Sequence, residues 1–172
     1  MADTLVIYYS RKGENYAGGA VRSLAKGNTE LVAEYIAEIT GADLFEVETV
    51  KTYSADYTKC TEEAKAELQA DARPELKSYL DNLDAYENIV VAGPCWWGTY
   101  PMAVFTLLDR LDFDCKTVLP VMTHEGSGLA EAAKALKKHC HGAMVGPGLA
   151  IRGSEVEQAK PQIERWARQN RL

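Results

Sequence analysis

Two adjacent tryptophans, Trp96 and Trp97, follow a run of residues typical of a buried strand. That run, 88–92, is rich in β-branched residues and carries no charge, as expected for a strand covered on both faces. In an open α/β sheet, the loop after such a strand lies at the carboxyl edge, where ligands bind. The two indoles therefore indicate either a stacking site for a planar ligand or aromatic packing beneath helix ends.

A second group of residues could hold an anion. Gly27, Asn28 and Thr29 combine a glycine, two side chains that cap helices and the free amides of a helix start. Such amides and the helix dipole favour a phosphate, to which Ser10 and Thr29 could add hydroxyl hydrogen bonds. An ordinary capped helix explains the same residues. Neither a G-x-x-x-x-G-K-[ST] loop nor a G-x-G-x-x-G turn occurs, which disfavours nucleoside triphosphatases and the standard dinucleotide fold.

The elements that would position these residues alternate along the chain. Apolar patterns predict strands at 4–9, 44–48, 89–92, 117–122 and 143–151. Helices are predicted at 29–41, in two pieces within 64–83 that meet near Pro74, and at 103–111, 129–140 and 155–168, while 10–27 is predicted to be a loop. Because parallel neighbours need crossover connections, we expect one α/β domain over 1–172, a three-layer, doubly wound, five-stranded parallel sheet.

The order of these features resembles the flavodoxin family over essentially the whole chain. Ser10 with Gly27-Asn28-Thr29, Trp97-Gly98 and Gly126-Ser127-Gly128 lie after successive predicted strands. The resemblance implies strand order 2-1-3-4-5 and noncovalent FMN, its phosphate in the first loop and its ring between the loops after strands three and four. The positions implied for FMN are Ser10, Arg11, Lys12, Asn15, Asn28, Thr29, Pro94, Cys95, Trp96, Trp97, Gly98, Thr123, His124, Glu125, Gly126 and Gly128.

The first loop departs from the family pattern. In the compact S/T-x-T-G-N-T loop the glycine follows three residues after the first hydroxyl, whereas Gly27 follows Ser10 by seventeen, an excess of fourteen. The extra residues either fold away from the phosphate or contact it through Arg11, Lys12 and residues 13–15, in which case Asn15 could replace Asn28. We expect the inserted residues and the start of the helix to contact the phosphate together, with Arg11 or Lys12 supplying a positive charge.

The ring end of the implied site also differs from the family. The resemblance places Trp97 on a ring face and the peptide of Gly98 near the flavin N5, where a positive φ would let its carbonyl turn. Thr99 replaces a frequent aspartate, and residues 123–128 lack the tyrosine that covers the outer ring face. His124 is either a neighbour of the N1–C2 edge, where it would raise the reduction potential, or an exposed loop histidine.

Composition and charge exclude several classes of partner. The net charge of −6 disfavours nucleic acids and anionic membranes. Residues 56–87 hold nine acidic and four basic side chains, which suit either a basic partner surface or a solvated helix face. Four cysteines without paired spacing and no N-terminal leader predict a cytoplasmic protein, and no uncharged run reaches the ~20 residues of a membrane span.

The resemblance implies an electron carrier that serves redox partner proteins, with no catalytic side chain of its own. The alternative is an FMN-dependent NAD(P)H or quinone reductase: an open ring face would admit a nicotinamide or a small quinone-like acceptor, although no nicotinamide-binding motif is present. A flavin-free receiver module would need aspartates where the chain has Ser10-Arg11 and Gly93-Pro94. We expect no metal site, because the adjacent side chains of His139-Cys140-His141 cannot converge on one ion.

Overall fold

The computed structural model describes residues 2–172 and shows a parallel sheet with helices on both faces. The strands are β1 Thr4–Tyr8, β2 Gly13–Ala17, β3 Ala20–Leu24, β4 Asp43–Glu46, β5 Asn88–Pro94, β6 Thr117–His124, β7 Met144–Val145 and β8 Leu149–Arg152. The helices are α1 Asn28–Thr40, α2 Tyr57–Gln69, α3 Met102–Leu108, α4 Ala132–His139, the 3₁₀ helix Gly153–Gln158 and α5 Lys160–Gln169. Within residues 2–172, no helix is both long and apolar enough to cross a membrane.

The main sheet runs β4-β1-β5-β6, and β7 and then β8 pair with the free edge of β6, all in parallel. This arrangement confirms the predicted order 2-1-3-4-5. The register aligns Tyr8 with Ala92, and Pro94 with Thr123. The carboxyl ends of β1, β5 and β6 consequently meet at one edge of the sheet, so the loops singled out in the sequence are neighbours.

The strands are buried on both faces, which explains their uninterrupted apolar sequences. Alternate residues of β1 enter different cores: Leu5 and Ile7 pack with α3 and α4, whereas Val6 packs with α1 and α5. These strand residues are at most 1% exposed. The sheet is therefore held between two apolar layers, and only its ends and loops remain available for polar chemistry.

The prediction of a loop over 10–27 is wrong for its central part. Residues 13–24 form an antiparallel hairpin, β2–β3, with Ala17 paired to Ala20. Gly18 (φ +63°) and Gly19 (φ +87°) make the two-residue turn, and such positive φ angles match the twist that a tight hairpin requires. The Gly-Gly pair was the available sequence signal for this hairpin.

Two further predictions need correction. Helix α2 begins at Tyr57, before the predicted start at residue 64, and it ends at Gln69, so the second helical piece predicted between Pro74 and residue 83 does not form. The apolar residues after Pro74 instead pack against the core as irregular chain, with Leu76 and Leu83 buried. The fifth strand is divided into β7 and β8, because the intervening Gly146-Pro147-Gly148 has a proline that cannot donate to a ladder.

Candidate functional site

A cavity of about 330 Å³ opens at the carboxyl edge of the sheet. Its volume lies in the range of small-molecule sites. The residues that line it are Arg11, Asn15, Tyr16, Asn28, Thr29, Tyr57, Cys60, Thr61, Ala64, Pro94, Cys95, Trp96, Trp97, Thr123, His124, Glu125 and Gly153. The other predicted positions, Ser10, Lys12, Gly98, Gly126 and Gly128, lie outside the lining.

The N-terminus of α1 forms one end of the cavity. The Ser10 hydroxyl accepts a hydrogen bond from the Glu30 amide (3.0 Å), and the Gly27 carbonyl accepts one from the Leu31 amide (3.2 Å). Within residues 2–172, the amides of Asn28 and Thr29 have no acceptor and remain as free donors. This is the arrangement that binds anions at helix starts.

Gly27 brings the two ends of the insertion together. A Cβ there would lie 2.1 Å from the Ser10 hydroxyl oxygen and 2.7 Å from the Arg11 carbonyl oxygen, so only glycine permits this approach. Ser10 consequently lies against the start of α1 despite the intervening hairpin. Ser10 acts by capping the helix, which explains its position outside the cavity lining.

Arg11 and Asn15 connect the hairpin to the cavity. The Arg11 guanidinium donates to the carbonyls of Glu14 (2.9 Å), Ser54 (2.9 Å) and Ala55 (3.2 Å). The Asn15 side-chain amide donates to the Arg11 carbonyl (2.8 Å). Asn15, Asn28 and Arg11 line the cavity, whereas Lys12 does not.

Two buried hydroxyls join α1 to the end of β6. Thr29 and Thr123, which are 2% and 4% exposed, have their Oγ1 atoms 2.8 Å apart. Because both hydroxyls are shielded from water, removing one would leave the other without a hydrogen-bond partner. This bond sets the distance between the helix N-terminus and the strand end that border the cavity.

Replacement of Thr29 by valine is expected to lower the free energy of unfolding by about 1–3 kcal/mol, because the buried Thr123 hydroxyl is left unpaired. The double variant Thr29→Val/Thr123→Val should lose less than the sum of the single variants. Urea denaturation of the four proteins measures this coupling. Strictly additive losses would show that the two hydroxyls do not depend on each other.

Trp96 and Trp97 have different environments, although both line the cavity. The Trp96 ring packs edge-on against Tyr9 (centroids 5.1 Å apart) and Tyr53 (5.3 Å). Trp97, in contrast, is 52% exposed, and its indole N–H donates to the Thr61 carbonyl (2.8 Å). Trp96 thus takes part in aromatic packing, while Trp97 presents an accessible ring to a ligand.

Trp97 and Gly98 occupy the tight turn between Trp96 and Thr99. Their φ values of +58° and +88°, with the Thr99 amide donating to the Trp96 carbonyl (3.4 Å), are typical of a type I′ turn, and the Trp96 amide donates in return to the Thr99 carbonyl (2.8 Å). Gly98 therefore has the expected positive φ. Its carbonyl, however, accepts from the Glu131 amide (2.9 Å) ahead of α4, so it is engaged outside the cavity.

Glu125 lies where three segments meet. Its Oε2 accepts a hydrogen bond from the Gly18 amide in the hairpin turn (3.3 Å), whereas its buried Oε1 has no partner within residues 2–172. A Cβ on Gly153 would lie 2.5 Å from that oxygen and 2.6 Å from the Asn28 side-chain nitrogen. Glycine at 153 therefore leaves the room that the Glu125 carboxylate and the Asn28 amide occupy, and all three residues line the cavity.

His124 is a partly buried member of the same loop. Its Nδ1 accepts a hydrogen bond from the Gly126 amide (2.9 Å). Burial, together with the positive charge of Arg152, lowers the pKa of His124 below its ordinary value. The neutral imidazole is consequently the form that the folded protein favours.

This shift predicts a pH dependence of stability. As the pH falls below the ordinary histidine pKa, the unfolded chain binds a proton before the folded one does, so the stability present above that pKa is lost. We expect the free energy of unfolding to fall more between pH 7.5 and pH 5.5 in the native chain than in His124→Asn. Urea titrations at both pH values test this, and parallel losses in the two proteins would contradict it.

The residues missed from the sequence come mainly from the hairpin and from α2. Tyr57, Cys60, Thr61 and Ala64 follow helical spacing, so they form one face of α2 toward the cavity. That periodicity would have identified them had the helix been predicted to start at Tyr57. Tyr16 could have been predicted as a lining residue only if the β2–β3 hairpin had been predicted. Gly153 had no local signal, since its role comes from side chains distant in the sequence.

Comparison with known proteins agrees with this architecture. A flavoprotein from Lactobacillus acidophilus, solved in complex with FMN, is 26% identical, with 92% of this chain and 98% of that one covered and a TM-score of 0.64. A Bacteroides uniformis protein, described provisionally as a flavoprotein, is 26% identical over 97% and 98% of the two chains, with a TM-score of 0.75. Oxidised flavodoxin 2 from Bacillus cereus shares the fold, with 18% identity over 98% and 99% and a TM-score of 0.51.

A search by sequence among curated proteins found no match. The family model described as flavodoxin, in contrast, matches residues 20–170, from the start of β3 to the residue after α5. The match includes the start of α1, the Trp96–Thr99 turn and the loop after β6. The chain therefore belongs to the flavodoxin family.

Proposed function

We propose that this protein binds FMN noncovalently in the cavity and carries electrons between redox partners. The observation that supports this most directly is the cavity itself, which has the free amides of α1 at one end and the accessible Trp97 ring in its lining. The likeness to the FMN-complexed Lactobacillus acidophilus protein supports the choice of cofactor.

The lining residues fit the groups of FMN. The Asn28 and Thr29 amides and the Arg11 guanidinium would hold the phosphate, and Trp97 would cover the isoalloxazine ring. The unpaired Glu125 Oε1 offers an acceptor for a ligand hydroxyl, beside the space that Gly153 leaves. When bound, FMN supplies the one- and two-electron chemistry, and the protein supplies position and electrostatics.

The carrier role is favoured over an NAD(P)H or quinone reductase. The sequence argument for a reductase was that residues 123–128 have no tyrosine to cover the outer ring face. Tyr16 and Tyr57 nevertheless line the cavity, so aromatic side chains are available from elsewhere in the fold. These side chains offer cover for the ring face that the reductase alternative leaves open, which supports the carrier role.

The proposed partners are redox proteins with basic surfaces, acting in a reducing, cytoplasmic compartment. Acidic side chains are concentrated in 56–87, a segment that contains α2, one face of which lines the cavity. Opposite charge on a partner would steer its encounter toward this side. All four cysteines are free within residues 2–172, and Cys115 is exposed, as suits a reducing compartment.

The test is an anaerobic visible spectrum of the FMN-loaded, desalted protein, taken before and after NADH and NADPH are added. We expect retained flavin bands that persist with reduced nicotinamide and bleach only after a separate reductase is supplied. Rapid bleaching by nicotinamide without that reductase would instead establish the reductase function. Loss of all flavin on desalting would overturn FMN binding.

A further inference from the structure

We propose that the β2–β3 hairpin supplies a second aromatic contact to the bound flavin, through Tyr16 supported by Tyr57. This inference rests on the proposed binding of FMN and assigns a role to the fourteen-residue insertion. The compact family loop has no counterpart for these residues. The inserted segment is therefore a wall of the cofactor site and does not fold away from it.

The hairpin is tethered at both sides of the cavity. On the α2 side, the Glu14 carboxylate accepts from the Tyr57 amide at the start of the helix (2.7 Å), and Arg11 donates to the carbonyls of Ser54 and Ala55. On the opposite side, the Gly18 amide at the hairpin tip donates to Glu125 (3.3 Å). A two-stranded hairpin is marginally stable by itself, so these tethers determine where it lies.

Tyr16 occupies the cavity side of this tethered element. Its ring lies 6.3 Å from that of Tyr57, with 29° between the planes, and both residues line the cavity. Tyr16 is nevertheless 44% exposed, so its ring has free surface for a ligand. The lining continues along α2 through Tyr57 and Thr61. It then reaches Trp97, whose indole donates to the Thr61 carbonyl.

The position of Tyr16 compensates for what the loop after β6 lacks. His124 is the one ring-bearing side chain among residues 123–128. The remaining aromatic lining comes from the β5 loop, where Trp96 is already packed against Tyr9 and Tyr53. Tyr16 and Tyr57 are thus the additional aromatic surfaces that a planar ligand would meet.

Val21 provides a matched control on the same hairpin. It pairs directly with Tyr16 across the two strands and is 51% exposed, but it does not line the cavity. A serine at either position removes a similar cross-strand contact. A difference between the two variants therefore reports contact with the ligand, whereas weakening of the hairpin affects both.

The test measures FMN dissociation from the native chain, Tyr16→Ser, Tyr16→Phe and Val21→Ser, by the rise of flavin fluorescence after each FMN-loaded protein is diluted into a large volume of flavin-free buffer. We expect about 3- to 10-fold faster release from Tyr16→Ser, as for loss of one aromatic contact. Tyr16→Phe and Val21→Ser should remain within about 2-fold of the native rate, because each retains the ring at position 16. Hydrogen exchange should show that FMN protects amides in 13–24.

Two different failures can be distinguished. If Tyr16→Ser and Val21→Ser release FMN at the same rate, and the amides of 13–24 gain no protection, the hairpin is not part of the binding wall. If the native chain itself takes up no FMN, the proposed function is overturned, and this inference with it.

Discussion

Replacing Trp97 with alanine is expected to weaken FMN binding by about 30-fold, or about 2 kcal/mol. The indole is half exposed in the cavity lining, so its principal loss is contact with the ligand. The lost hydrogen bond from the indole to the Thr61 carbonyl should lower the free energy of unfolding by only about 1 kcal/mol. Fluorescence titration with FMN and urea denaturation measure the two effects separately.

The variant Trp97→Phe is the control for this prediction. It retains an aromatic ring but loses the donor to Thr61, which holds the indole against α2. Most of the affinity should remain if stacking is the dominant contribution. An alanine variant that binds FMN as tightly as the native chain would remove Trp97 from the site.

Replacing Trp166 with alanine should have the opposite pattern of effects. Trp166 lies in α5, is 4% exposed and donates to the Pro147 carbonyl (3.0 Å). It packs in the core formed with α1, away from the cavity lining. Its truncation should lower the free energy of unfolding by about 3–5 kcal/mol, while the folded fraction retains native affinity for FMN.

Because small domains are stable by only about 5–15 kcal/mol, Trp166→Ala could be partly unfolded. Its FMN affinity is therefore to be measured under conditions in which circular dichroism shows the variant to be folded. Urea denaturation gives the loss of stability, and Trp166→Phe, which keeps most of the buried ring, should lose less. An unchanged urea midpoint in Trp166→Ala would show that the α5 core does not depend on this side chain. Equal losses of FMN affinity in Trp97→Ala and Trp166→Ala would place neither at the ligand.

The elements predicted well were those with strong local patterns. The apolar runs of β1, β5 and β6 have no alternative to burial on both faces, and the spacing of Val32 and Ile36 is unambiguous for a helix. The errors occurred where a weak local pattern was decided by distant contacts. Tyr16 became part of the site because Glu14 and Gly18 bond to segments 43 and 107 residues further along the chain.

The sequence by itself determined the alternation of buried strands and helices, because parallel strands require crossovers and each apolar run must be buried. The resemblance to the flavodoxin family then implied the strand order and, through it, which loops meet at the carboxyl edge of the sheet. It also located the start of α1 and the aromatic loop after β5, since both have compositions that are readable within a few residues.

Only the tertiary structure decided what each side chain in those loops does. Trp96 packs against Tyr9 and Tyr53 while its neighbour remains accessible, and the Gly98 carbonyl is engaged by Glu131. The bond between Thr29 and Thr123 spans 94 residues of sequence. The physical reason is that periodicity reports which face of an element is buried, whereas a loop side chain is oriented by partners that the fold brings from elsewhere in the chain.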